Sequence, residues 1–477
     1  MVVPLSISPE RAGYSARVSI DDAPVRRREA RAQATGPIAL AWVDEQRVAT
    51  VTTPVVPATT PFVPVAADLL TRAPRRSPWR PGVLVPTGLI IALIALYAAT
   101  TLLWPLHAVA PTVTALTVTP AAAPAAAPAW PAQGSAAVAV LGVGEASSSP
   151  DAVEIASITK VVTALLVLDQ MPLAVGESGP EFRFTGADSD DYWAYRRNGE
   201  SALDVPIGGT LTQYQLLEGM LIGSANNYAD RLAYNIWPSD RVFAAAANSW
   251  LAAHGVPGVT IVDPSGIEAG NVASPAALIA LAERALANPV IAEIVATQSV
   301  ELPGAGTVTN TNGLLADQGV VGVKTGTLDS WNVLSAKDVE IGGTSVRLYA
   351  AVMGQVDDEA RLGASRALYA QLEGELQPTT TVASGTVAGT VSTRWGATAD
   401  IVVDADADVI LWNGGVATVD PAYDLGDSRD ESDIVGGLTA TGPLNEATVN
   451  LRLDRDIDPP SPWWRLTHPL DLFGLND

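Results

Sequence analysis

The sequence predicts a mixed α/β domain with strands at both ends of a helical middle, followed by a small all-β domain and preceded by a single membrane-spanning helix. Three observations carry this prediction. An uncharged apolar run occupies 83–103. Between about 135 and 375, apolar stretches of helical period separate short β-branched runs. From Pro378 the texture changes to short alternating segments broken by Gly and Asn.

Residues 1–80 are rich in Arg, Pro, Thr and Val without a sustained period, and read as a largely disordered tail. The run 83–103 would span about 31 Å as a helix, close to the hydrocarbon thickness of a bilayer. Arg72, Arg75, Arg76 and Arg80 precede it and no basic residue follows nearby, which places the tail in the cytoplasm and the rest outside. Ala108-Val109-Ala110 has the small residues of a signal cleavage site, but Pro111 disfavours cleavage, so an uncleaved anchor is expected. The Pro/Ala-rich stretch 107–134 reads as a spacer.

The main domain is expected at 135–377. Helices are expected at 155–171, 214–236, 239–254, 275–287 and 359–372, and strands at 136–144, 320–323, 332–337 and 346–353. Residues 378–477 form the β domain. The acidic series Asp400, Asp404, Asp406, Asp408 alternates with Ala and Val like the wet face of a strand and lacks the spacing of a calcium loop. Trp463 and Trp464 are expected to pack on the β domain, with a membrane contact as the alternative. The end, 461–477, is too short and too acidic for a membrane helix.

Composition narrows the chemistry. The chain has no cysteine, three histidines (His107, His254, His468) and three lysines (Lys160, Lys324, Lys337). Thiol chemistry and cysteine-ligated metals are excluded. Scattered histidines disfavour a zinc site or a Ser-His-Asp triad, so no cofactor or metal is expected and a base would be a lysine or carboxylate. The net charge is −23 overall; residues 1–80 carry 11 Arg and 7 Asp/Glu, or +4, leaving −27 for the remainder. That acidic body argues against nucleic acid or anionic lipid as a partner.

Ser157-Ile158-Thr159-Lys160 heads an apolar helix, and a spacing of three puts hydroxyl and amine on one face. Burial favours the neutral amine, which can act as base toward the serine. Lys324-Thr325-Gly326-Thr327 follows a strand, where Gly326 leaves room for a ligand and Lys324 offers charge. Ser224-Ala225-Asn226 interrupts apolar helical text, a polar insertion that is costly unless it lines a cleft or caps a helix. Each motif singly could be a cap, a turn or a helix junction. Together they use two of the three lysines, and Lys337 has no role and should face solvent.

In this order, S-x-x-K, S-x-N and K-T-G resemble the penicillin-recognising serine enzymes. The flanking text, IASITKVVTALLVL, LEGMLIGSANNYADRLA, VDPSGIEAGNVASPAALIALAERAL and VVGVKTGT, is most similar to the D-alanyl-D-alanine carboxypeptidases among the low-molecular-mass penicillin-binding proteins. The resemblance covers about 135–375, and more weakly the β segment. It implies a β-lactamase/transpeptidase-like domain with an antiparallel sheet and a helical cluster. It implies Ser157 as acylated nucleophile, Lys160 as base, Ser224 and Asn226 as proton relay and amide holder, and Lys324, Thr325, Gly326 and Thr327 as the binding strand, with the Ser157 and Thr327 N–H groups as oxyanion hole. The implied substrate is a peptidoglycan stem peptide ending in D-Ala-D-Ala, with β-lactams as further ligands. Ala225 departs from the Asp or Gly of other branches. A D,D-endopeptidase, a class A-like β-lactamase and a non-catalytic wall scaffold are the alternatives; no E-x-x-L-N motif lies between Asn226 and Lys324.

Overall fold

A computed structural model describes residues 80–125 and 127–476, so the expected tail at 1–80 lies outside the described residues apart from Arg80. Its central sheet has five antiparallel strands, in the order Val320–Thr327, Trp331–Ile341, Thr344–Gln355, Ser135–Val140, Gly144–Ser147. Both faces are covered. Ala137, Ala139, Leu334, Ala336, Tyr349 and Ala351 point into a core shared with the helical cluster. Their neighbours Ala136, Val138, Val140, Val333, Leu348 and Ala350 point to the other face, against the helix Asp358–Glu375. The period of two explains why these strands read as nearly continuous apolar runs.

The helix Thr159–Gln170 is buried along almost its whole length in the first of these cores. The stretch 214–236, expected as one helix, is two: Gln213–Leu221 and Asn226–Tyr234. The break has a local cause. Ser224 takes a left-handed φ of +59°, and the freed backbone groups are satisfied elsewhere, Asn226 N–H by the Ser201 carbonyl and the Ile222 carbonyl by Thr311 N–H. The helices Gly186–Arg197 and Pro289–Ala296 were not foreseen. The first has no buried residue and hence no apolar stripe; the second is a short run started by an Asn288 cap and Pro289.

The C-terminal β domain is a six-stranded sheet in the order Thr112–Ala115, Val387–Ser392, Thr398–Val403, Glu446–Leu453, Ile434–Thr441, Thr418–Tyr423. Its first member corrects the reading of 107–134 as a free spacer. Thr112–Ala115 pairs antiparallel with Val387–Ser392, and Ala121 and Ala123 donate backbone hydrogen bonds to Thr381 and Gly415. The segment is threonine- and valine-bearing at that point and completes a sheet edge that would otherwise be bare. Trp412 fastens this domain to the one before it: its indole donates to Glu375 at 2.8 Å, beneath the helix Asp358–Glu375. Asp404, Asp406 and Asp408 lie on the exposed side, with Asp404 paired to Arg452.

Two further expectations are corrected. Lys337 does not simply face solvent; it reaches Glu373 at 2.5 Å, because its strand runs under that helix. Trp464 packs edge-on against Trp395 of the β domain at 5.9 Å, but Trp463 is 74% exposed. The N-terminal run is a helix, Pro81–Leu103, long and apolar enough to cross a membrane.

Candidate active site

Ser157 sits in the 3₁₀ turn Ala156–Ile158 that leads into Thr159–Gln170. Ala156 holds a φ of +49°, a strained value for a residue with a side chain. Ser224, in a second motif, is likewise a left-handed, non-glycine residue, while Ala156 immediately precedes the first motif. Lys160, one turn on, is fully buried. Its Nζ lies 2.7 Å from Ser157 Oγ and 2.5 Å from the Ser265 carbonyl oxygen. Burial lowers its pKa to about 7, opposed by the negative charges of Asp263, Asp230 and Glu200. A neutral amine beside the hydroxyl is therefore accessible near neutral pH.

The Ser265 carbonyl is aimed by Asp263, which the sequence reading did not single out. One carboxylate oxygen accepts from Ser265 N–H, Ser265 Oγ and Gly266 N–H, each at 2.7 Å. The other accepts from Glu268 N–H at 3.0 Å and Asn271 Nδ2 at 2.5 Å. Burial alone would raise this carboxyl; the hydrogen bonds from Ser265, Glu268, Asn271 and Gly266 outweigh it and hold the pKa below the usual range. An aspartate opening a D-P-S-G turn was the available signal. Gly266, at φ +82°, passes so close to Ala156 that a Cβ there would lie 2.0 Å from the Ala156 carbonyl.

Val320–Thr327 is the edge strand of the five-stranded sheet and packs against the Ser157 turn. Gly326 crosses beneath Ile155, where a Cβ would lie 2.3 Å from the Ile155 carbonyl. Lys324 is buried, 1% exposed, and burial lowers its pKa well below that of a free lysine, with Lys160 and Arg361 acting in the same direction. Thr325 Oγ1 lies 2.7 Å from Thr311 Oγ1. Arg361, also missed in the sequence, backs the strand. It donates to the Gly326 carbonyl at 3.2 Å and the Asn332 carbonyl at 2.8 Å, and stacks over Trp331.

Ser224 and Asn226 are 5% and 4% exposed. Asn226 Oδ1 is buried without a hydrogen-bond partner, an unmet acceptor suited to an amide N–H. Ala225 between them is buried in the apolar core. The structure thus brings Ser157 and Lys160 into contact. It sets Lys324 close enough to Lys160 for their charges to interact, and links Thr325 through Thr311 to the backbone beside Ser224.

A cavity of about 840 Å³ lies beside this constellation, not over Ser157. It is lined by Tyr195, Glu200, Asp230, Arg231 and Ile267 among others. The serine–lysine geometry, rather than cavity size, marks the chemistry. Among the described residues no group of His, Cys, Asp or Glu is arranged to hold a metal ion.

Residues 140–356 match the sequence model of a family described as D-alanyl-D-alanine carboxypeptidase. The chain is 33% identical over 178 residues to the D-alanyl-D-alanine carboxypeptidase DacB2 of Mycobacterium tuberculosis, across 36% of this chain and 57% of that relative's length. A crystal structure of a D-alanyl-D-alanine carboxypeptidase from Mycobacterium tuberculosis H37Rv is similar at 27% identity and a TM-score of 0.46, covering 56% of this chain and 99% of that one. The Streptomyces K15 DD-transpeptidase is similar at 22% identity and a TM-score of 0.45, over 51% and 98% of the two chains.

Proposed function

We propose, on the premise that residues 140–356 carry the D-alanyl-D-alanine carboxypeptidase family pattern, that this protein is a membrane-anchored serine D,D-carboxypeptidase. The observation that most supports the reading is the fully buried Lys160 amine at 2.7 Å from Ser157 Oγ, with a pKa drawn down to about 7.

In this reading, neutral Lys160 takes the Ser157 proton as Oγ attacks the carbonyl carbon of the penultimate D-Ala. The N–H groups of Ser157 and Thr327 stabilise the oxyanion. The C–N bond breaks, Ser224 passes a proton to the departing amine, and the terminal D-Ala leaves. Water then hydrolyses the Ser157 ester. Asn226 accepts from the peptide amide. Lys324 and Thr325 hold the terminal carboxylate, and a carboxylate beside Lys324 offsets the desolvation of its ammonium. A β-lactam would acylate the same serine. The helix Pro81–Leu103 would anchor the enzyme with residues 1–80 cytoplasmic and the catalytic domain outside.

Fluorescent penicillin tests the reading directly. The native chain should take up label covalently and Ser157→Ala should not; an unlabelled native chain would overturn the acyl-enzyme. Fast release of hydrolysed drug would instead indicate a β-lactamase. Mass spectrometry of digested pentapeptide against cross-linked muropeptides would separate carboxypeptidase from endopeptidase.

A further inference from the structure

Two helices turn polar faces toward the same space. Along Gly186–Arg197, Asp188, Asp191 and Tyr195 recur at spacings of three and four, the period at which a packed helix usually presents apolar side chains. Along Asn226–Tyr234, Asn227, Asp230, Arg231 and Tyr234 do the same. All of these line the cavity of about 840 Å³, so the two helices meet across a hollow rather than a core. Its volume is in the range of small-molecule sites, and its polar walls suit water or a ligand with matching polar groups.

The hollow adjoins the Ser157–Lys160 pair. Asn227 follows Asn226, and Glu200 precedes Ser201, whose carbonyl accepts from Asn226 N–H. Ile267 lies two residues beyond Ser265, whose carbonyl holds Lys160. Asp230 and Glu200 are near enough to Lys160 for their charges to act on it. No residue of the strand Val320–Thr327 lines the cavity. A peptide whose terminal carboxylate lies on that strand therefore offers the cavity its other part, the acyl chain that stays on Ser157.

Charge selects the ligand. Asp188 is engaged at the helix start, accepting from Thr185 N–H at 2.7 Å and Thr185 Oγ1 at 2.8 Å. Arg231 donates to the Arg183 carbonyl at 3.2 Å and lies over the Phe184 ring at 5.6 Å. Among the described residues, Asp191, Glu200 and Asp230 have no ion-pair partner. Glu200 Oε2 is buried without a hydrogen-bond partner. Asp230 accepts from Tyr195 Oη, and burial pushes its carboxyl up to about 6 against that hydrogen bond and the charge of Lys160. These carboxylates are not grouped to hold a metal ion. They suit an organic cation on a flexible arm, and a primary ammonium brings three donors to them.

We propose that this cavity binds a primary ammonium carried on a side chain of the acyl-donor peptide, upstream of its D-Ala-D-Ala end, with Glu200 and Asp230 accepting from it and exposed Asp191 adding charge. The site sets substrate specificity and rests on the carboxypeptidase reading above.

Nα-acetyl-lysyl-D-Ala-D-Ala and its norleucine counterpart, which lacks the ammonium, test the site on the full chain near neutral pH. kcat/KM for D-Ala release should be roughly tenfold or more higher for the lysine peptide, the usual worth of a charged hydrogen bond. That preference should drop to about threefold or less in Glu200→Gln and in Asp230→Asn, while Asp420→Asn on the β domain keeps it. Each variant must retain the native melting temperature; if Asp230→Asn does not fold, Glu200→Gln and Asp191→Asn carry the comparison. Equal kcat/KM for the two peptides in the native chain overturns the ammonium site. A preference that survives in every carboxylate variant overturns its placement in this cavity. No D-Ala release from either peptide, with the native chain indistinguishable from Ser157→Ala, overturns instead the carboxypeptidase reading on which the site rests.

Discussion

Lys160 Nζ and the Ser265 carbonyl oxygen lie 2.5 Å apart across 105 residues of chain. That contact holds the amine at the distance that also places it 2.7 Å from Ser157 Oγ. A lysine on one helix turn has several rotamers; the carbonyl selects the one that faces the serine, and burial then favours its neutral form.

Acylation should follow the protonation of Lys160. With its pKa near 7, the amine is charged and unable to accept a proton below that value. The rate of penicillin acylation should therefore rise with pH through about 7 and level off above it. Lys160→Ala should lower it by roughly 10²–10⁴-fold, the usual contribution of a positioned base. A rate that is flat from pH 5 to 9 would rule out this role.

Asp263→Asn should act on both loop and base. The new amide cannot accept from all the donors now gathered on the carboxylate, a loss of about 1–3 kcal/mol in stability. Removal of a negative charge that raises the Lys160 pKa should also move the acylation profile to lower pH. Slower acylation with an unmoved profile would leave Asp263 a purely structural part.

Gly326→Ala tests the contact between the strand Val320–Thr327 and the Ser157 turn. A Cβ at 2.3 Å from the Ile155 carbonyl must push backbone against backbone. The expected cost is about 1–3 kcal/mol in stability, with acylation lost because Ser157 follows two residues later. Urea unfolding and penicillin labelling would be read on the same sample.

Arg361→Lys should raise KM for a D-Ala-D-Ala peptide more than it lowers kcat. The guanidinium fork bonds the Gly326 and Asn332 carbonyls through Nη1 while Nε and Nη2 hold Asp358, and a lysine cannot keep both sides. Steady-state kinetics of D-Ala release would show the split; an unchanged KM would count against a role in shaping the carboxylate end.

Lys160 also predicts a slope in stability. Its folded pKa is about 7 and its ordinary value 10.5, so between these the unfolded chain binds more protons and stability rises with pH. Lys160→Met should flatten that part of the urea-midpoint profile. An identical slope in the variant would exclude the lysine as its source.

Much of the site was legible from residues. A serine and lysine three apart on an apolar helix must share a face, and an apolar helix must be buried, so Lys160 beside Ser157 follows from local geometry. The same holds for Lys324 at the end of a buried strand. The break at Ser224 was less legible, since helical periodicity continues on both sides and only the carbonyl of Ser201 and the N–H of Thr311 make the break affordable.

The sequence by itself determined which groups are proposed as nucleophile, base and anion binder, because that reading depends on residue type and short spacing. Tertiary structure decided what joins across long distance. Asp263 aims the Ser265 carbonyl at Lys160, Arg361 backs a strand formed 35 residues earlier, Thr112–Ala115 leaves its spacer to complete a distant sheet, and Arg465 returns to Trp104. No local period encodes these partners, because their energy is realised only when the folded chain removes their polar groups from water.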